Sequence, residues 1–142
     1  MEAFYTNYYQ AVATSLTNAY YCERLYGINL CQHGFAEVGH IDHLLLEAGV
    51  TAGTRVLDLG CGNGFIAEYI NLRTHAHVTG IDNAPEAIHQ AQVRTAGKDL
   101  IFRVMDMAQL DFPPASFDVV IAIDTLYFTP LEQLLPSIFC LL

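Results

Sequence analysis

One stretch limits the fold of this chain more than any other: Val56-Leu57-Asp58-Leu59-Gly60-Cys61-Gly62-Asn63-Gly64. A short apolar run suited to a buried strand ends in glycines at alternate positions, and a run suited to a helix, residues 65–72, follows. Without a Cβ, glycine takes positive φ and lets backbone approach a ligand closely. The helix that follows offers unpaired N–H groups to a carboxylate or phosphate. A strand, a side-chain-free turn and a helix in this order are the opening of a parallel α/β unit.

The rest of the chain continues that rhythm. Residues 78–81 read as a second strand ending at Asp82, and Pro85 opens a helix over residues 86–95 with Gly97 as its stop. Residues 100–105 read as a third strand ending at Asp106, and residues 117–123 as a fourth ending at Asp124. The tail from Pro130 begins another helix. Before the glycine turn the pattern is helical. Tyr5, Tyr8, Val12, Leu16 and Ala19 recur at three- and four-residue steps, predicting one helix over residues 3–21. A second helix is predicted over residues 36–48, with Val38, Ile41, Leu44, Leu45 and Ala48 inward and Gly49 as its stop. Six of the eight tyrosines fall in the first 26 residues, where they either pack the first helix or cap a pocket. The expected organisation is a helical cap segment, residues 1–48, and a nucleotide-binding unit, residues 49–142.

The ligand is the next question. A dinucleotide fingerprint requires G-x-G-x-x-G, and Phe65 stands where its third glycine belongs. Asp58 precedes the first glycine by two residues; it would oppose a pyrophosphate and suit an ammonium. Asp82, 22 residues after Gly60, can accept both hydroxyls of a ribose, or serve as a turn acid before Asn83-Ala84-Pro85.

The pattern D-x-G-x-G-x-G resembles the S-adenosylmethionine (SAM) motif of class I methyltransferases. The stretch Leu110-Asp111-Phe112-Pro113-Pro114-Ala115-Ser116-Phe117-Asp118-Val119-Val120 is similar to that family's segment between its third and fourth strands. The run from Tyr26-Gly27 to Gln32-His33-Gly34-Phe35 resembles the lead-in segment of small-molecule members of the sarcosine, tocopherol and cyclopropane-synthase type. The resemblance implies a Rossmann-like sheet with strand order 3-2-1-4, a helical cap, and SAM as cofactor. It implies contacts to SAM from Asp58, Gly60, Cys61, Gly62, Asn63, Gly64, Asp82, Asn83, Asp106, Met107 and Asp124. Asp106 would accept from the adenine amine with Met107 against the ring, unless the two are a turn acid and a packing methionine. Tyr127, Asp124 and His33 become catalytic candidates, and Tyr26, His33 and Tyr127 candidate cap or substrate contacts. Relatives carry a seven-stranded sheet, so a chain ending after its fourth strand is expected to be incomplete. The open edge of strand four is then a place for self-association or a partner chain.

Composition narrows the alternatives. A net charge of −9 opposes a phosphate backbone and points away from nucleic acid, leaving a small neutral or cationic acceptor. No apolar run reaches the roughly 20 residues of a membrane span, and no basic stretch followed by an apolar one marks a signal peptide. Cys22, Cys31, Cys61 and Cys140 show no paired spacing, as for reduced thiols in a cytoplasmic protein. The pairs His40/His43 and His75/His77 lack a third ligand, so no metal site is expected. Two other readings stand beside the methyltransferase: a SAM-binding fragment without catalysis, and, opposed by Phe65, a nicotinamide-dependent oxidoreductase.

Overall fold

The computed structural model describes residues 2–31 and 34–142, so the expected roles of His33 lie outside the described residues. Strands β1 (Arg55–Leu59), β2 (His77–Asp82), β3 (Leu100–Val104) and β4 (Val119–Ile121) form one sheet in the order β3-β2-β1-β4. Every pairing is parallel: Val56 sits opposite Val78 and Val119, and Val78 opposite Leu100. The parallel pairing is what the strand–helix alternation predicts, and the strand order is the Rossmann-like one that the resemblance implies.

Side chains alternate across the central strand, and each face meets its own helices. Val56 and Val78 share a core with Ile41 and Leu45 of α3 (Val38–Glu47), Ile70 of α4 (Phe65–Thr74) and Ile88 of α5 (Pro85–Arg94). Leu57, Leu59 and Ile81 face the other way, against Leu134 and Leu141 of α6 (Leu131–Leu141). Each such burial is worth about 1.5–3 kcal/mol relative to exposure. A fork from Arg55 to Asp118, 2.6 Å at Nη2–Oδ1 and 3.1 Å at Nε–Oδ2, ties the start of β1 to the residue before β4. These hydrogen bonds hold the Asp118 carboxyl down at about 2. Because the four strands run parallel, their carboxyl ends meet at one end of the sheet, where ligands of such folds bind.

Several expectations need correction. The helix predicted over residues 3–21 is two, α1 (Glu2–Val12) and α2 (Leu16–Tyr26). Ser15 makes the break: its hydroxyl accepts from the Asn18 N–H at 3.1 Å, an N-cap, and Leu16 stands 86% exposed instead of facing inward. Ser15→Ala is expected to lower stability by about 1 kcal/mol, read as a shift of the urea midpoint. In α3, Ile41 and Leu45 are buried, whereas Leu44 and Ala48 are exposed, because one helical face is too narrow to carry all of them. Helix α5 is closed by Thr95, not Gly97. Strand β4 spans only Val119–Ile121 instead of residues 117–123, and its last pairing is Ile121 with Asp58, one residue before β1 ends at the glycine turn. The chain instead takes positive φ at Asp124 and forms a 3-10 turn at Leu126–Phe128.

Candidate functional site

The glycine turn is built by the end of β2. The N–H groups of Gly60 and Cys61 both donate to the Ile81 carbonyl at 2.9 Å. Gly62 N–H donates to Asp82 Oδ2 at 2.9 Å, and Ala84 N–H donates to Oδ1 at 2.8 Å. Asp82 is thus a turn acid that pins the glycine loop, and its two oxygens keep some acceptor capacity beyond these backbone bonds. Burial raises its pKa, while the N–H groups of Ala84 and Gly62 work against the rise.

A cavity of about 240 Å³ opens beside this turn. Its wall takes Gly60, Cys61, Gly62 and Asn63 from the loop, Asp82 and Asn83 after β2, Asp106 and Met107 after β3, and Asp124 and Tyr127 after β4. The structure therefore brings ten predicted residues to one hollow at the carboxyl end of the sheet. Asp106 lies at the surface, where its Oδ1 accepts from Ala108 N–H at 2.9 Å in a tight turn, with half-buried Met107 next to it.

Three predicted residues lie outside that wall. Asp58 is buried beneath the turn, only 3% exposed. Burial, and then the charge of Asp82, push its carboxyl up to about 7. Gly64 caps the start of α4 at φ +77, and the space where a Cβ would stand is taken by Phe102 and Ala91. Tyr26 is also away from the wall; its hydroxyl donates to the Gly34 carbonyl at 2.7 Å. That bond continues into the site, because Phe35 N–H donates to Asp124 Oδ2 at 2.7 Å. The lead-in segment is thereby fastened to the tip of β4, and Tyr26 acts on the cavity through Gly34.

The sequence reading missed Tyr9, Thr125 and Phe128. Tyr9 Oη lies so close to Gly62 that a Cβ there would stand 2.4 Å from it. Burial, then Asp82, raise the Tyr9 pKa well above its usual value. Thr125 passes equally close to Gly60, and its Oγ1 donates to the Leu59 carbonyl at 2.9 Å. The cluster of tyrosines before residue 27 was the only signal for Tyr9. None marked Thr125, because its role depends on the turn that ends β4.

One histidine of each pair has an ordinary partner at the surface: His77 with Asp99, and His40 with Glu37 at 3.8 Å. Among the described residues, no group of three or more metal-ligating side chains converges. No helix among them is long and apolar enough to cross a membrane.

Comparison with known proteins bears on this geometry. Residues 56–142 match the family model described as "Methyltransferase domain". The chain is 34% identical over 109 residues to a sterol 24-C-methyltransferase of Yarrowia lipolytica, covering 73% of this chain and 29% of that protein. It is 33% identical over 122 residues to the 27-O-demethylrifamycin SV methyltransferase of Amycolatopsis mediterranei, covering 76% of this chain and 44% of that one. In fold it is similar to the Haemonchus contortus phosphoethanolamine N-methyltransferase 2 in complex with SAM, with TM-score 0.74 and 22% identity, over 97% of this chain and 33% of that chain. The chain thus spans less than half the length of these relatives.

Proposed function

This chain belongs to the methyltransferase domain family, and on that premise we propose that it acts as a class I SAM-dependent methyltransferase on a small molecule, alone or as part of a longer protein. The observation that carries the reading is the cavity wall, where the glycine loop, Asp82, Asp106/Met107 and Asp124 meet at the ends of four parallel strands.

The residues present fit the cofactor. Two buried polar atoms lack a partner among the described residues, Asp58 Oδ2 and Asn63 Nδ2. One is an acceptor and one a donor, complementary to an amino acid's ammonium and carboxylate. Asn63 stands in the wall, and Asp58 acts from behind the turn through a medium of low dielectric. The free lone pairs of Asp82 suit ribose hydroxyls, and Asp106 with Met107 suits adenine. Bound SAM supplies an activated methyl group. The chain's part is to orient it, hold an acceptor in line with it and exclude water; such positioning supplies about 7–11 kcal/mol in favourable cases. Asp124 and Tyr127 are our candidates for contacting the acceptor or receiving its proton. Functionally, residues 1–48 shape access and residues 49–142 hold the cofactor, although α3 also packs into the main core. Four free cysteines support a reducing, cytoplasmic setting. The outer edge of β4 and the exposed Leu131, Leu135 and Phe139 of α6 are where we place a partner chain or second copy.

Asp82→Ala tests the assignment. S-adenosylhomocysteine affinity, measured by calorimetric titration, is expected to fall about 100-fold, from the ribose bonds and the loosened loop together. Affinity within threefold of the parent chain would remove the ribose role.

A further inference from the structure

The part of the cavity left over after cofactor assignment has an unusual character. Tyr5 and Tyr9 of α1 and Tyr127 and Phe128 of the 3-10 turn all stand in its wall. They form one continuous aromatic cluster. Tyr5 meets Phe128 edge-on at 5.8 Å between centroids, Tyr9 lies 6.2 Å from Tyr5, and Tyr127 lies 4.4 Å from Phe128. The same wall carries the carboxylates of Asp82, Asp106 and Asp124, and among the described residues no Lys, Arg or His. Arg94 stacks on the Phe65 ring from outside the wall. It is occupied by Glu68 at 2.9 Å and the Asn63 carbonyl at 2.7 Å.

We propose that this aromatic wall selects an acceptor that carries no phosphate and gains positive charge as it takes the methyl group: an amine or an electron-rich carbon on an apolar body. The proposal rests on the methyltransferase reading above and narrows its substrate class. In the transfer, an electron pair of the acceptor forms the bond to the methyl carbon as the carbon–sulfur bond breaks. That bond's pair stays on sulfur, and the positive charge passes from sulfur to the acceptor. Aromatic faces attract such a charge without supplying a competing nucleophile, and nearby carboxylates add to the attraction. A phosphate in the same space would face those carboxylates with no cation among the described wall residues to balance it.

The test compares three probes by calorimetric titration, with and without saturating S-adenosylhomocysteine: choline, its uncharged carbon isostere 3,3-dimethylbutan-1-ol, and phosphocholine. Choline is expected to bind about tenfold more tightly than the isostere, and phosphocholine more weakly than choline. Tyr127→Leu, at a side chain 69% exposed and safe for folding, is expected to weaken choline at least threefold and leave S-adenosylhomocysteine unchanged. Tyr127→Phe keeps the ring and should keep choline affinity. Equal binding of choline and its isostere, phosphocholine binding as tightly as choline, or no binding of any probe would overturn the proposal. If S-adenosylhomocysteine fails to bind while choline is still preferred, the methyltransferase reading falls and the cation-selective wall stands.

Discussion

Gly64→Val is expected to cost about 4 kcal/mol or more of folding stability, a large share of the roughly 5–15 kcal/mol that holds a domain together. Two effects add. Gly64 holds φ +77, a left-handed conformation that costs an L residue about 1–2 kcal/mol, and more for a β-branched one. Any Cβ there would also sit 2.6 Å from Phe102 Cε1 and 2.9 Å from the Ala91 Cβ. A Cβ is fixed to its backbone and cannot swing away, so α5 or the whole turn has to shift. Overpacking of this kind costs about 1–3 kcal/mol beyond the strain. Gly53 separates the two effects, for it has φ +82 with nothing within 4 Å of its added Cβ. Gly53→Ala should lose about 1 kcal/mol, and Gly64→Ala at least twice that, both read from urea midpoints at constant slope. Equal losses at the two positions would mean that the close packing around Gly64 is not what fixes a glycine there.

That comparison also shows how far residue patterns reach. The succession of strands and helices along the chain was legible because alternating apolar and glycine-rich segments are local signals, whereas the register between strands was not read from them. The end-of-strand acids were legible for the same reason: Asp82, Asp106 and Asp124 each follow an apolar run. What the alternate glycines do was only half legible. The sequence suggests a loop bared for a ligand, whereas Gly60, Gly62 and Gly64 leave space for Thr125, Tyr9 and Phe102. Those neighbours are 38 to 65 residues away in the chain, and nothing local announces them. Burial at the centre of the sheet likewise depends on both flanking strands, so the 3% exposure of Asp58 could not be read from its place before the first glycine. The break at Ser15 was missed for a different reason: the apolar spacing of α1 and α2 runs on in phase through it, and only the cap bond to Asn18 stops the helix.

Stability is expected to fall as pH rises from about 4 to about 7, with Asp58 the main contributor and Asp82, whose pKa burial also raises, acting in the same direction. In the folded chain its carboxyl stays protonated up to about 7, since burial and the charge of Asp82 both disfavour ionisation. In the unfolded chain it ionises near 4. Between these values the native state binds the extra proton, so folding loses free energy with each rise in pH. Above 7 both states are ionised and the dependence flattens. The span corresponds to about 4 kcal/mol at a fully buried site. Asp118, at the surface and held down at about 2 by Arg55, works in the opposite direction and below this window, so it does not mask the slope. Asp58→Asn keeps the shape and removes the charge. At pH 8 it should unfold at a higher urea concentration than the parent chain, and the fall between pH 4 and 7 should shrink to the part that Asp82 contributes. The same substitution should weaken S-adenosylhomocysteine binding at pH 8, where the parent carboxylate is ionised and faces the ligand's ammonium from behind the loop. At pH 5.5, where the parent is protonated too, the two affinities should converge. A variant that is more stable yet binds more weakly, and only at the alkaline end, would separate a carboxylate kept for the cofactor from one kept for the fold; a profile unchanged by Asp58→Asn would assign the pH dependence elsewhere.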